Sequence, residues 1–409
     1  MFYGTKVKLV TFYCASTNSI YLAKMGRIIW KFRSLIPISS DTNIAVPIVC
    51  LCWYAISSFG SQITKRILTE CPMPLFLGEF QFIFIVLSAC ITCLIGHYVP
   101  GVRKLFPEGT FPRSQDPGVN VIMRPSKEVL LTVFPLGLFQ FMGKYYGHRA
   151  TSLVPVSTVA SIKTLSPIFI ILAQKMLKRF DHKLNRAIYL SLGCVMLGVW
   201  VIVYSDSKNT VPKTQISNLE DQAIKTSHYG VLFASISMLI FVIQNIYAKN
   251  IFTYKSDYNE LPIATSKSDY RRSLRSPRKY DKLTLMIYIS VVGFSISLGW
   301  FIALELPTLW ANFFHEPHNV EIPWRLIILN GVLHFLQSMI TFYLLGEIST
   351  LSYSIANIMK RIAIISFSWL YTAHSITMIQ VLGILLNVTG LFFYERLMKK
   401  SKYADKSNR

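Results

Sequence analysis

The chain has 409 residues, of which 52% are hydrophobic and 15% are charged, and its mean hydropathy is +0.42. This composition excludes an ordinary soluble protein and indicates several membrane-spanning helices. The net charge of +22 would suggest a nucleic-acid partner in a soluble protein, but here the cations concentrate in alternate loops, as the positive-inside rule requires. We therefore predict that the partner is a lipid bilayer, with no nucleic acid.

Apolar runs of about 20 residues, long enough to cross a bilayer as helices, recur along almost the whole chain. Residues 1–43 before them are basic and are predicted to be a cytosolic segment. A Ser- and Arg-rich stretch at 254–282, predicted to be a disordered cytosolic linker, separates spans 1–6 from spans 7–10, and 397–409 is a predicted cytosolic tail. The predicted spans lie at 44–66, 74–98, 128–148, 152–177, 184–205, 227–252, 283–304, 325–346, 350–372 and 375–396.

Two parts of the chain repeat one another. The stretch "VSTVASIK", which ends at Lys163, aligns with "YSIANIMK", which ends at Lys360, and the same offset places Gln140 on Gln337. Because five spans per repeat is an odd number, the second copy enters the membrane from the opposite side. We predict an all-α membrane protein of ten transmembrane helices in two inverted five-helix repeats, with a binding site at the midplane where the repeats meet.

Three cations, Lys163, Lys360 and Arg361, lie in the middle of predicted spans, where a charge costs about 2.5 to 3.5 kcal/mol. Glu79 is the one convincing intramembrane acid in the sequence, and one carboxylate cannot neutralise three cations. A planar Arg fork and a Lys point charge can share the oxygens of a phosphate. The three cations therefore predict an anionic ligand rather than an internal ion pair.

Helical spacing adds polar residues to this group. Tyr353, Asn357 and Lys360 fall at i, i+4 and i+7, and Arg361 follows Asn357 by four residues, so all four share one broad face. The predicted substrate-binding residues are Lys163, Lys360, Arg361, Lys144, Gln337, Asn357, Tyr353 and Thr164.

Two further patterns lie beside these cations. Ser157, Ser161 and Thr164 form a hydroxyl stripe on the fourth span, which is more typical of helix packing than of ligand contact. Gln140 and Lys144 share a face of the third span, although Lys144 is close enough to a helix end to reach the headgroups instead.

From about residue 44 onward the chain resembles the triose-phosphate translocator family of the drug/metabolite transporter superfamily. The resemblance is strongest in "FPLGLFQFMG", "VPVSTVASIKTLSP" and "SYSIANIMKRIAIIS". The chain also looks similar to a fungal member known as a suppressor of defects in ER-to-Golgi transport. Family members have ten spans in two inverted halves and exchange phosphorylated metabolites. In plastid members, the lysine that matches Lys163 and the pair that matches Lys360 and Arg361 grip the substrate phosphate.

Departures from the family pattern concern the substrate. The family's substrate-contacting histidine in the third span corresponds to Lys144, its tyrosine in the eighth span to Gln337, and its "KALEP" to "KTLSP". The first change adds a cation and the second removes an aromatic contact, so the selectivity of plastid relatives does not transfer. The pair Lys163-Thr164 resembles a branch of the family that carries nucleotide sugars.

The resemblance implies a secondary transporter of the ER or Golgi membrane that exchanges small organic phosphates, of the triose-phosphate or phosphoenolpyruvate type, against phosphate by alternating access. The charge bias of the loops places both termini in the cytosol. Two alternatives stay open: a nucleotide-sugar/nucleoside monophosphate antiporter, and a non-transporting membrane factor for ER-to-Golgi traffic. The sequence contains no phosphate-cradling Gly loop, metal-ligand cluster or paired nucleophile and base, so we predict no enzyme activity, cofactor or metal. A homodimer stays possible.

Overall fold

The protein is described here by a computed structural model. It describes residues 45–104, 106, 110–112, 121–122, 125, 127–176, 186–210, 217–252, 281–314, 322–347, 350–372 and 377–407, and the regular structure in these residues is all helical. The predicted N-terminal segment and most of the predicted linker lie outside the described residues. The compact unit in which the helices pack runs from Val49 to Arg409.

The long helices lie where the hydropathy pattern predicts membrane spans. The span predicted at 152–177 is divided into two helices, and the last helix continues past the predicted end at 396. The helices are α1 (Ala45–Glu70), α2 (Pro74–Tyr98), α3 (Pro100–Lys104), α4 (Lys127–Leu153), α5 (Val156–Lys163), α6 (Ser166–Met176), α7 (Arg186–Thr210), α8 (Ser217–Phe252), α9 (Lys282–Leu304), α10 (Leu306–Phe314), α11 (Trp324–Glu347), α12 (Thr350–Tyr371) and α13 (Met378–Ser407).

Within the described residues, seven segments are long and apolar enough to cross a membrane. They lie in α1, α2, α5 together with α6, α7, α8, α9 and α13. The remaining long helices, α4, α11 and α12, contain charged and polar residues such as Lys144, His334 and Lys360, which lower their hydropathy. The chain is therefore a multi-pass membrane protein, while ten crossings in two inverted repeats stay a prediction.

Helices α7 and α13 approach each other closely through glycine. A Cβ atom on Gly198 would lie 2.7 Å from the backbone oxygen of Gly383, and one on Gly390 would lie 2.8 Å from the backbone oxygen of Ser191. Small residues at helix contacts let backbones pack tightly in a membrane, where burial from water supplies no force between helices. A larger residue at Gly198 or Gly390 would force the two helices apart.

Asp206, a buried residue of α7, joins four helices. Its Oδ2 accepts hydrogen bonds from the hydroxyls of Ser157 and Thr158 on α5, the second at 2.9 Å. Its Oδ1 accepts from the indole nitrogen of Trp369 on α12 at 3.1 Å and from the amide of Gln380 on α13 at 3.0 Å. Because a buried carboxylate is stable only when its oxygens are satisfied, these donors fix the start of α5 against α12 and α13.

The prediction that Glu79 is the one convincing intramembrane acid overlooked a second buried acid, Asp206. Asp206 follows directly after the predicted end of the fifth span at 205, where an acid would face water. Helix α7 continues to Thr210, so Asp206 is instead packed among helices. Glu79 is also buried, and its Oε1 accepts a hydrogen bond from the Ser297 hydroxyl of α9.

Candidate functional site

A cavity of about 350 Å³ lies among helices α1, α2, α4, α5, α8, α11 and α12. Small-molecule sites span about 300 to 1,000 Å³, so the cavity is at the small end of that range. Six of the eight predicted site residues line the cavity, although they come from four helices distributed over both predicted repeats. These six are Lys144, Lys163, Gln337, Asn357, Lys360 and Arg361.

The lining follows the helical period. On α4 the residues Gln140 and Lys144 are four apart and face the cavity together, as predicted. Gln337 of α11, which aligns with Gln140 in the sequence repeat, also lines the cavity. So do both members of the aligned pair Lys163 and Lys360. Aligned residues of the two copies therefore meet around one space, as expected for a site between repeats.

Among the described residues the four cavity cations form no salt bridge with an acid, although Glu79 interacts electrostatically with Lys144. Within the described part of the chain, no carboxylate oxygen lies within 4.0 Å of a charged nitrogen of Lys144, Lys163, Lys360 or Arg361. Each lysine instead lies over an aromatic ring. The distances from Nζ to the ring centroid are 4.3 Å for Lys144 over Phe82, 5.7 Å for Lys163 over Phe241 and 4.2 Å for Lys360 over Trp53.

A ring face attracts a cation by about 0.5 to 2 kcal/mol, which is much less than the effective cost of burying a charge. The aromatic rings therefore offset only part of that cost. The remaining positive potential of the cavity favours an anion that is able to contact several of these cations at once.

Several polar atoms of the cavity lining are buried without a hydrogen-bond partner among the described residues. They are Lys144 Nζ, His148 Nε2, His334 Nδ1 and Gln81 Oε1. A buried polar atom without a partner is destabilising by about 1 to 3 kcal/mol, so such atoms indicate a bound ligand or water. The described residues contain no group of three or more His, Cys, Asp or Glu side chains that would hold a metal ion.

The helix that carries Lys163 is interrupted next to this residue. Pro167 has no N–H and its ring excludes the carbonyl four residues before it, which is the carbonyl of Lys163. Helix α5 accordingly ends at Lys163 and α6 begins at Ser166. Arg361 Nη1 of α12 donates hydrogen bonds to the Lys163 carbonyl and, at 3.1 Å, to the Ser166 hydroxyl. The guanidinium thus supplies the donor that Pro167 lacks.

The other two predicted site residues, Thr164 and Tyr353, do not line the cavity. The Thr164 hydroxyl is buried and accepts a hydrogen bond from the Asn387 amide of α13 at 3.0 Å, which is a packing contact of the kind that the hydroxyl stripe indicates. The Tyr353 ring stacks on Trp53 with centroids 5.8 Å apart, so it supports the ring beneath Lys360. Substrate contact by any of the eight residues stays a prediction.

Sequence reasoning missed the aromatic rings under the lysines, because an aromatic residue in an apolar span gives no separate signal. It also missed a polar chain in the cavity wall. The Gln81 amide donates to Asn330 Oδ1 at 2.8 Å, and the Asn330 amide donates to Thr64 Oγ1 at 2.8 Å. A signal for these three residues exists, since polar side chains inside spans tend to face a cavity or a neighbouring helix.

Comparison with known proteins identifies similar chains. The model of the Triose-phosphate Transporter family matches residues 44–209 and 222–395. "Uncharacterized transporter YJL193W" of Saccharomyces cerevisiae is 48% identical over 390 residues, which cover 88% of this chain and 95% of that protein. "Uncharacterized transporter SLY41" of the same yeast is 33% identical, over 87% of this chain and 81% of that protein. The chloroplastic "Xylulose 5-phosphate/phosphate translocator" of Arabidopsis thaliana is 24% identical, over 86% of this chain and 69% of that protein.

Proposed function

Because the chain belongs to the Triose-phosphate Transporter family, we propose that it exchanges small organic phosphates, of the triose-phosphate or phosphoenolpyruvate type, for inorganic phosphate. It is a membrane transporter and not an enzyme. The observation that carries the proposal is the set of Lys163, Lys360 and Arg361 around one cavity, with no carboxylate of the described residues within 4.0 Å. A phosphoryl dianion supplies the missing negative charge and enough oxygens for several donors.

The size of the cavity supports a small ester. A volume of about 350 Å³ suits an ester of a few carbon atoms better than a nucleotide sugar, which carries a base, two sugars and two phosphates. Similarity to the xylulose 5-phosphate/phosphate translocator also favours a sugar-phosphate type of substrate. Nucleotide-sugar exchange is therefore the competing outcome of the transport test.

Burial of the cations explains why we propose exchange rather than one-way transport. In an alternating-access cycle the two inverted five-helix repeats, ten spans in all, close over the site before opening it to the other side. Closing an empty site buries three unpaired cations, whereas a bound dianion offsets most of that cost. The loaded carrier should therefore change conformation faster than the empty carrier.

The proposal is tested with purified protein in liposomes loaded with phosphate. Uptake is measured for dihydroxyacetone phosphate, phosphoenolpyruvate, glucose 6-phosphate and a UDP-sugar, each radiolabelled, and is compared with uptake into phosphate-free liposomes. We expect uptake of a three-carbon phosphate that depends on internal phosphate. Equal uptake with and without internal phosphate would contradict exchange. In a third set of liposomes, loaded with UMP, uptake of the UDP-sugar alone would favour the antiporter of nucleotide sugars. A chain that moves none of these anions would favour a non-transporting role in ER-to-Golgi traffic.

The proposal also includes a membrane location, an orientation and an oligomeric state. We place the transporter in the ER or Golgi membrane with both termini in the cytosol, on the basis of its sequence resemblance and the basic loops. Fluorescent fusions at each end, with protease protection, test the location and the orientation together. The homodimer stays a prediction, which the mass of the purified protein in detergent tests.

A further inference from the structure

We propose that Ser166 and Pro167 are positioning residues for substrate binding, because they hold the Arg361 guanidinium against the interrupted end of the helix that carries Lys163. The inference rests on the proposed function, since it explains how the binding cations are placed. It concerns two residues that do not line the cavity.

The first step is the exposed carbonyl. In an unbroken helix, the carbonyl of Lys163 would accept from the backbone N–H four residues later, but that residue is Pro167. The chain between the helices turns through shorter bonds, as the N–H of Leu165 donates to the carbonyl of Ile162 at 3.0 Å. The Lys163 carbonyl is thus left for a donor from another helix.

The second step is the choice of donor. A guanidinium has five N–H groups in a planar fork, two of them on Nη1. Nη1 of Arg361 has two acceptors, the Lys163 carbonyl and the Ser166 hydroxyl. The donors on Nε and Nη2 lie on the rest of the fork, and Arg361 lines the cavity. The geometry therefore lets Arg361 bind the end of the helix with one nitrogen and a phosphate oxygen with the others.

The third step is the consequence for Lys163. This residue is the last of an eight-residue helix, so its side chain would be free to change direction if the helix end moved. Attachment of the end to Arg361 of α12 fixes Lys163 relative to Lys360, which lies on α12 immediately before Arg361. The helix break and the guanidinium together set the distance between the cations that share one phosphate.

Pro167→Ala tests the helix break. Alanine supplies the missing N–H and favours a continuous helix across 163–166. We expect the variant to show a KM for phosphate raised about tenfold, since the loss of a preorganised charged hydrogen bond has this effect. Pro135→Ala is the matched control, because Pro135 lies inside α4 and does not line the cavity. Its KM should not change.

Ser166→Ala tests the hydroxyl alone. It removes one acceptor of Arg361 Nη1 without changing any charge, so we expect KM to rise about three- to tenfold while kcat changes little. Ser161→Ala is its control, because Ser161 is buried on α5, does not line the cavity and makes no hydroxyl contact with Arg361. Arg361→Lys should also raise KM. A lysine side chain has one nitrogen, which cannot contact the helix end and the ligand as two nitrogens of the guanidinium do.

Either of two results would contradict the positioning role of Ser166 and Pro167. If Ser166→Ala has the KM of Ser161→Ala while the parent protein exchanges phosphate, the positioning role is wrong although the proposed function stands. The same holds if Pro167→Ala has the KM of Pro135→Ala. A parent protein that exchanges no ester would overturn the proposed function, and this inference with it.

Discussion

The two lysine-bearing segments of the chain align with one another, yet their backbones differ. Helix α5 ends at Lys163 and α6 begins at Ser166, whereas α12 continues without interruption past Lys360. The same offset that aligns the lysines places Ile364 opposite Pro167. One residue therefore accounts for the difference, because isoleucine donates the backbone hydrogen bond that proline cannot.

The comparison also shows what the second segment supplies to the first. In the alignment of the two segments, Arg361 of α12 corresponds to Thr164. Arg361 donates a hydrogen bond to the carbonyl of Lys163. Thr164 instead packs against Asn387 of α13. The two aligned segments are thus complementary: one contains a helix end whose carbonyl lacks a donor of its own, and the other contains the guanidinium that donates to it. Equivalent positions in a repeat need not have equivalent roles.

The largest expected effect comes from removing either of the two aligned lysines, Lys163 and Lys360. Lys163→Ala and Lys360→Ala should each reduce phosphate exchange about 100-fold or more, because each removes one of the charge partners that the dianion requires. Uptake of labelled phosphate into phosphate-loaded liposomes measures the loss. Arg66→Ala is the control, since Arg66 is exposed and pairs with Glu70 at 2.8 Å, and its activity should equal that of the parent. Normal exchange by either lysine variant would remove that lysine from the binding site.

The second effect concerns the attachment of both segments to Asp206. Asp206→Ala removes the acceptor of four described donors, among them Ser157 of the broken segment and Trp369 of the continuous one. We expect the free energy of unfolding to fall by at least about 3 kcal/mol, as several buried donors lose their partner. Thermal unfolding in detergent measures this loss. Glu70→Ala, at an exposed acid, should leave the midpoint unchanged, and an equally small shift for Asp206→Ala would contradict the structural role.

The contrast between the segments also explains what the sequence alone can predict. Lys163, Lys360 and Arg361 can be recognised from the sequence because each is a charge inside an apolar run. The structure brings all three to one cavity. The positions of most helices follow from the same hydropathy pattern. The pairing of Arg361 with the carbonyl exposed by Pro167 depends on a contact between distant helices, so no local pattern indicates it.

Asp206 and Trp53 illustrate the same limit. The sequence shows an acid at the end of a span and a tryptophan within one, both of which are common near membrane surfaces. Their importance comes from their partners, four donors for Asp206 and the Lys360 ammonium for Trp53. Those partners are fixed by tertiary packing.

The third effect comes from making the continuous segment resemble the broken one. Ile364→Pro would remove the N–H that bonds to the carbonyl of Lys360 within the unbroken helix α12. Compared with Ile364→Ala, the proline variant should lose about 3 kcal/mol of unfolding free energy, the usual difference between Pro and Ala inside a helix. Thermal unfolding in detergent should therefore give a lower midpoint for the proline variant than for the alanine variant. Equal midpoints would mean that α12 tolerates a break as α5 and α6 do.

The smallest expected effect concerns the aromatic ring under the lysine of the continuous segment. Lys360 Nζ lies 4.2 Å from the Trp53 ring centroid, closer than Lys163 Nζ lies to the Phe241 ring, at 5.7 Å. If phosphate binds Lys360 as proposed, this ring is the partner of the ammonium in the empty carrier alone, because in the loaded carrier the phosphate replaces it. Trp53→Leu should therefore slow net uptake into phosphate-free liposomes about two- to fivefold, as expected from a cation–π energy of about 0.5 to 1 kcal/mol.

Exchange with internal phosphate should change much less in the same variant, because the carrier then returns loaded and never closes over bare cations. Trp53→Phe keeps a ring, so its rate of net uptake should lie between those of Trp53→Leu and the parent. Phe241→Leu should have a weaker effect, since its ring is farther from the ammonium that it faces. Trp300→Leu, at a tryptophan that is 58% exposed, controls for the loss of an indole. If Trp53→Leu slows exchange and net uptake by the same factor, the ring supports packing alone and does not act as the partner of Lys360 in the empty carrier.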